Sequence, residues 1–218
     1  MQRVYADRAD GGRALAAGLE AHRGAADTIV LGLPRGGVPV AYEVATGLDL
    51  PLDVLVVRKL GLPWQPELAM GAIASGGALV RNDEVVRYLG DRTDAFAAVR
   101  AREQAELERR ERDYRGDRPP LEMHNRTGIL VDDGLATGAT MEVAVRALKA
   151  LGARRVVVAV PVASPEARDR IAAVADEVVC LAVPMFFSAV GQWYRDFGQT
   201  SDDEVRDLLA KAHARLGS

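Results

Sequence analysis

Two neighbouring carboxylates, Asp132 and Asp133, follow the apolar run 128–131, and the residues after them read GLATGAT. Ala136, Gly138 and Ala139 are small enough for an anion to approach the main chain. Successive N–H groups and the positive end of a following helix would hold such an anion, and Thr137 and Thr140 add hydroxyl donors. The loop is not a Walker loop, because it has no Gly-Lys-Ser/Thr, and its glycine spacing is not that of a dinucleotide fingerprint. Acids placed directly before a phosphate cradle would repel phosphate alone. They become intelligible if the ligand carries hydroxyls beside its phosphate. A ribose 5-phosphate does so, offering hydroxyls to the carboxylates and phosphate to the loop.

Such a site needs a strand to deliver the acids and a helix to receive the anion. Five apolar runs have strand length: 28–33, 53–60, 128–131, 154–162 and 177–183. Most show little alternation, the pattern of strands covered on both faces. Helical patterns lie between most of them, at 37–47, at 139–151 and from Pro165 to about 175, the last opened by Ser164 as N-cap with proline in the first turn. Strands alternating with helices imply right-handed βαβ units. The expected fold class is therefore α/β, a Rossmann-like parallel sheet of about five strands flanked by helices. Ligands of such sheets bind beyond the carboxyl ends of the strands, where Asp132 and Asp133 stand.

The stretch between the second and third runs differs. LAMGAIASGGALVRND (68–83) reads as two short strands joined at Ser75–Gly77, a hairpin. A long charged helix follows over 94–115. Arg102–Glu106, Glu106–Arg110, Glu108–Arg112 and Glu111–Arg115 are opposite charges four residues apart, which reads as a solvated helix stabilised by its own surface pairs. A mobile lid carrying cations is the alternative. RGDRPP (115–120) closes this insertion. Near the C-terminal end, Ser201 and Glu204 form a capping box for a helix to about 216.

The chain of 218 residues is 49% hydrophobic and 27% charged, a soluble globular composition for one domain, or one core with a small lobe. A net charge of −3 gives no general attraction to nucleic acid or to anionic membranes, so neither is expected as a partner. There is no apolar run of about 20 residues and no signal-peptide core in the opening residues. The single cysteine, Cys180, suits a reducing compartment and reads as a buried strand thiol. A cytoplasmic location is expected. His22, His124 and His213 are scattered and make no zinc set.

VDDGLATGAT (131–140) resembles the phosphoribosyl-pyrophosphate motif of the type I phosphoribosyltransferases: two acids after a hydrophobic strand, then a Thr-Gly-x-Thr loop. Gly134 departs slightly, since a hydrophobic residue is more usual there; the loop is expected to tolerate it. The resemblance implies a core of about 28–184, the insertion at about 61–120, and a "hood" built from the chain ends, about 1–27 and 185–218. It implies that Asp132 and Asp133 hold the ribose and a hydrated Mg²⁺, and that Ala136, Thr137, Gly138, Ala139 and Thr140 receive the 5′-phosphate. LGLPRGGVPVA (31–41) occupies the place of the family's pyrophosphate loop, often strained or cis. Arg35, Gly36 and Gly37 fit it, the glycines for unusual dihedrals and the arginine for charge. Lys59, in VVRKLG (56–61), is one of three lysines, and it is favoured over Arg58 as a pyrophosphate contact.

The activity so implied is transfer of ribose 5-phosphate from phosphoribosyl pyrophosphate to a nitrogenous base, with Mg²⁺ and release of pyrophosphate. A non-catalytic sensor of the same donor is the alternative; turnover on some base separates the two. The hypoxanthine-guanine branch has a further aspartate where this chain has Ala136, so the loop looks like the adenine-type and orotate-type branches. A general base would have to come from elsewhere, with Glu67 in the insertion as the candidate. The hood segment 185–201 holds Phe186, Phe187, Trp193, Tyr194 and Phe197. Phe186 and Phe187 are the candidate base contacts, because aromatic faces stack on heterocycles. The family also implies a homodimer.

Overall fold

The computed structural model describes residues 4–88 and 93–216. Its centre is a parallel sheet in the order β2 (Leu52–Val54), β1 (Thr28–Gly32), β6 (Thr127–Val131), β7 (Arg155–Val162), β8 (Glu177–Ala182). The three middle strands are almost wholly buried, and their alternate residues serve two layers. Val30, Ile129, Val131, Val157 and Ala159 face one side, where α1 (Arg8–Gly18), α2 (Gly37–Leu48) and α7 (Asp202–Leu216) pack. Leu31, Leu130, Val156, Val158 and Val160 face the other, under α5 (Ala139–Ala150) and α6 (Pro165–Ala172). This two-sided burial is why the runs showed little alternation. The expected α/β architecture and its five parallel strands stand, with most boundaries shifted by a few residues. Cys180 lies in β8, half-buried, with burial pushing its thiol up.

The run 53–60 is not one strand. β2 ends at Val54, and the chain then changes sheets to β3 (Val57–Leu62), which pairs antiparallel with β4 (Gln65–Ala74). Ser75 makes the transfer possible. Its hydroxyl accepts the N–H of Val56 at 3.0 Å, and its own N–H donates to the Val56 carbonyl at 3.0 Å. β4 then pairs with β5 (Ala78–Arg81) across the turn Ser75–Gly77, where Gly76 and Gly77 both take positive φ. The expected hairpin is thus part of a three-stranded sheet, and its first strand has ten residues rather than a few. Apolar composition could not distinguish one strand from two, because the change of sheet falls inside the continuous apolar stretch 54–57.

After α3 (Asp83–Tyr88), the long helix α4 (Thr93–Arg115) is fastened to the core, which argues against a lid. Arg58 donates to Glu103 at 2.6 Å, and Arg115 donates to Asp53 at 3.0 Å and to the Pro119 carbonyl at 2.7 Å. Only part of the surface pairing follows the four-residue spacing. Glu106 binds Arg110 and also Arg109, Arg102 turns to adjacent Glu103, and Arg115 goes inward to Asp53. At the other end of the molecule the two chain ends join. Tyr5 donates its N–H to the Trp193 carbonyl at 2.8 Å, and Tyr5, Trp193, Tyr194 and Val162 form a small core.

Asp53 and Arg115 are each more than nine-tenths buried. Removing Arg115 leaves the buried Asp53 with Arg118, at 3.7 Å, as its remaining cationic partner in a low-dielectric setting. Arg115→Met should therefore lower unfolding free energy by about 3 kcal/mol in urea denaturation. A loss below about 0.5 kcal/mol would mean that α4 is not anchored there.

Candidate functional site

Asp132 and Asp133 emerge at the carboxyl end of β6, beside the end of β1. The loop after β1 lies directly against them. Leu33 donates its N–H to the Val131 carbonyl at 3.0 Å, and the Pro34–Arg35 peptide is cis. A Cβ at Gly36 would overlap Asp133 Oδ2, and one at Gly37 would stand 2.7 Å from the Val131 carbonyl oxygen. Neither glycine has positive φ; Gly36 is right-handed, at φ −60° and ψ −29°. These glycines serve close approach, not the unusual dihedrals expected from sequence.

The acids are held from several sides. Asp132 Oδ1 accepts the Asp133 N–H at 2.9 Å. Asp133 Oδ2 accepts from Arg8 Nε at 2.9 Å, and the Asp133 carbonyl accepts the Tyr194 hydroxyl at 2.6 Å. Burial pushes the Asp132 carboxyl well above the usual range, and the charge on Asp133 adds to it. Burial raises Asp133 as well, with Arg8 opposing. Burial also holds the Tyr194 phenol far above its ordinary value, so it remains a donor.

The loop that follows is braced by β7 and α6. Leu135 N–H donates to Val162 at 3.0 Å, and Ser164 Oγ donates to the Ala136 carbonyl at 2.8 Å while capping α6 through Ala167 N–H at 3.0 Å. Gly138 takes φ 72°, which ends the loop in a left-handed residue that a side chain disfavours, and α5 begins at Ala139. The first-turn N–H groups of α5 have no acceptor within the helix; that of Ala139 reaches Thr137 Oγ1 at 3.4 Å. Ala136, Thr137 and Thr140 are exposed and Ala139 is half-buried. Gly134 is not merely tolerated. A Cβ there would stand 2.7 Å from Val190 Cγ1 and 3.0 Å from Val162 Cγ1, so Val190 packs onto this position.

The remaining sequence candidates are dispersed. Arg35 turns its side chain towards α4 and α7. It lies 3.9 Å from Asp202 and helps line a cavity of about 200 Å³ with Arg109, Arg110 and Tyr114. Arg58 and Lys59, successive residues of β3, take opposite faces: Arg58 goes to Glu103, while Lys59 is exposed in register with Ala72. Nothing brings Lys59 into contact with the acids. The Glu67 side chain lies outside the described residues. Phe186 is 89% exposed just beyond β8, and Phe187 is half-buried against the Tyr5–Trp193–Tyr194 cluster. Arg8 and Tyr194 were missed as partners of Asp133. Their separations of 125 and 61 residues leave no local signal in the sequence.

An acid pair at a strand end, a glycine loop pressed against it and a helix N-terminus just downstream define an α/β protein of the phosphoribosyltransferase class. The family described as "Phosphoribosyl transferase domain" matches residues 3–195, and the chain belongs to that family. It is 53% identical over 213 residues to "Putative phosphoribosyl transferase Rv0571c" of Mycobacterium tuberculosis (strain ATCC 25618 / H37Rv) and to its counterpart in strain CDC 1551 / Oshkosh. The alignment covers 97% of this chain and 47% of the relative, so the chain spans about half the length of the curated relatives it matches. The crystal structure of TT1426 from Thermus thermophilus is similar at 47% identity and a TM-score of 0.86, covering 96% of this chain and 99% of that one.

The packing at Gly134 and the charge of the acid pair can each be tested. Gly134→Val should cost about 2 kcal/mol through overlap with Val190, and adding Val190→Ala should restore most of it in denaturation curves; independent effects would overturn this packing account. Both acids bind protons more tightly folded than unfolded, so their contribution to stability falls as pH rises above the unfolded aspartate value of about 4. Asp132→Asn should therefore melt above the parent at pH 8, with the gain shrinking towards pH 4. Equal melting at pH 8 would show that the free acid pair carries no such electrostatic cost.

Proposed function

We propose that this domain transfers ribose 5-phosphate from phosphoribosyl pyrophosphate to a nitrogen of a base and releases pyrophosphate. The observation that carries the reading is the abutment of Gly36 and Gly37 on Asp132 and Asp133. It puts a main-chain loop suited to one anion beside carboxylates suited to hydroxyls, with the loop 136–140 suited to a second anion just downstream. Phosphoribosyl pyrophosphate has that order of groups: pyrophosphate, sugar hydroxyls, 5′-phosphate.

In this reading Asp132 and Asp133 accept hydrogen bonds from the ribose hydroxyls, and residues 136–140 receive the 5′-phosphate. The Arg35–Gly36–Gly37 main chain faces the pyrophosphate. The anchored sugar presents C1 for in-line attack, the C1–O bond to pyrophosphate breaks, and a C1–N bond forms. Positive charge on the ring and negative charge on the leaving group develop together, so fixed donors around the pyrophosphate contribute more than a protein nucleophile would. Arg35, half-buried at the loop with its side chain near Asp202, and Lys59, exposed on β3, are the cations assigned to the departing group in this reading. The exposed ring of Phe186 offers a face to the base, and Phe187 supports it from the hood.

The acid pair also fits Mg²⁺. Two hard oxygen donors that burial and mutual repulsion drive towards protonation are relieved by a cation. Among the described residues no cluster of three or more His, Cys, Asp or Glu could hold a metal, so water and phosphate oxygens would complete its shell. When bound, Mg²⁺ would neutralise charge on the pyrophosphate. Incubation with phosphoribosyl pyrophosphate, Mg²⁺ and a panel of bases should release pyrophosphate with one of them. Asp132→Asn combined with Asp133→Asn should reduce that rate at least about 100-fold. Tight donor binding without turnover on any base would favour the sensor, and an active double variant would remove the site assignment.

A further inference from the structure

Arg8 is placed by α1, whose first turn is fixed by Asp7 accepting the Asp10 N–H at 2.8 Å. From there its guanidinium makes three contacts: Nε to Asp133 Oδ2 at 2.9 Å, Nη1 to the Gly198 carbonyl at 2.6 Å, and its planar face over the Phe197 ring at 4.0 Å. Arg8 and Asp133 side chains are only 14% and 15% exposed. Phe197 stacks on Tyr194, with centroids 5.2 Å apart, and the Tyr194 hydroxyl holds the Asp133 carbonyl. The same guanidinium borders the glycine loop, since a Cβ at Gly36 would lie 3.4 Å from Arg8 Nε. One side chain thus ties together the acid pair, the glycine loop and both chain ends.

We propose that Arg8 is the residue that positions Asp133 to grip the sugar, an inference that rests on the ribose-phosphate reading of this site. A carboxylate has two oxygens, and Arg8 occupies one lone pair of Oδ2. Oδ1 remains for a ribose hydroxyl, in an orientation fixed from behind. Rotation of the carboxylate would break the Arg8 contact, so the acceptor stays aimed without the ligand. The guanidinium is itself immobilised by Gly198 and Phe197, whose places depend on the C-terminal segment folding over α1. The sugar grip is therefore built from three distant parts of the chain. Lysine would supply charge to Asp133 but not the flat, forked contact to carboxylate, carbonyl and ring together.

Calorimetric titration of the full chain with ribose 5-phosphate and, separately, with inorganic phosphate tests this without Mg²⁺ or turnover. Ribose 5-phosphate engages the acids and the phosphate loop, whereas inorganic phosphate lacks the hydroxyls. Arg8→Gln should weaken ribose 5-phosphate about tenfold and leave inorganic phosphate within about twofold of the parent. Arg8→Lys should recover part of the loss. General damage to the fold would weaken both ligands alike, and that outcome, or unchanged ribose 5-phosphate binding in Arg8→Gln, would overturn the role given to Arg8. A parent protein that binds ribose 5-phosphate no better than inorganic phosphate would instead sink the ribose-phosphate reading, and the Arg8 role with it.

Discussion

The arrangement at the strand ends depends on a steric allowance at two residues. Without side chains at Gly36 and Gly37, the loop after β1 can lie on the carbonyl of Val131 and the carboxylate of Asp133. Any Cβ there would force the start of α2 away from the end of β6, and the two stretches proposed to receive anions would become separate surfaces. The same closeness is electrostatically unfavourable for the free protein. Two neighbouring carboxylates are drawn out of water, and each raises the cost of ionising the other. Functional sites commonly carry such unfavourable charge, because the ligand relieves it.

Around this contact the fold divides the work between rigid and assembled parts. β1, β6 and β7 are buried on both faces and fix the strand ends. Ser164 braces the downstream loop while capping α6, so one hydroxyl serves two elements. The chain ends supply the rest: Tyr5 pairs with the 193–194 segment, Tyr194 reaches back to Asp133, and Val190 fills the space left by Gly134. The departure at Gly134 is thus explained by the packing of Val190 and Val162 against it. The insertion is more firmly held than its charge pattern suggested, because Arg115 and Glu103 face inward and tie α4 to β2 and β3.

Local chemistry was legible in the sequence wherever it is written in consecutive residues. The acid pair with its small-residue loop, the N-caps at Ser164 and Ser201 and the turn at Ser75–Gly77 depend on neighbours within about four positions, where backbone geometry dictates who can meet whom. Strand-length apolar runs likewise declared a parallel sheet, because two-sided burial leaves a compositional mark. The run 53–60 shows the limit. Residues 54–57 are continuously apolar, yet the chain leaves one sheet for another at Val56, where Ser75, nineteen residues on, satisfies its main chain.

By itself the sequence determined the class of fold, the alternation of its core strands and helices, and the acids and small-residue loop at one strand end. Those follow from periodicity, turn residues and side-chain chemistry along a short stretch of chain. Only the tertiary structure decided that Arg8 faces Asp133, that Gly36 and Gly37 are needed for space rather than for torsion angles, and that Arg115 is buried instead of bridging Glu111. Each of these is a contact between residues far apart in the chain. Which distant surfaces meet is set by the packing of whole layers, and no local propensity encodes it.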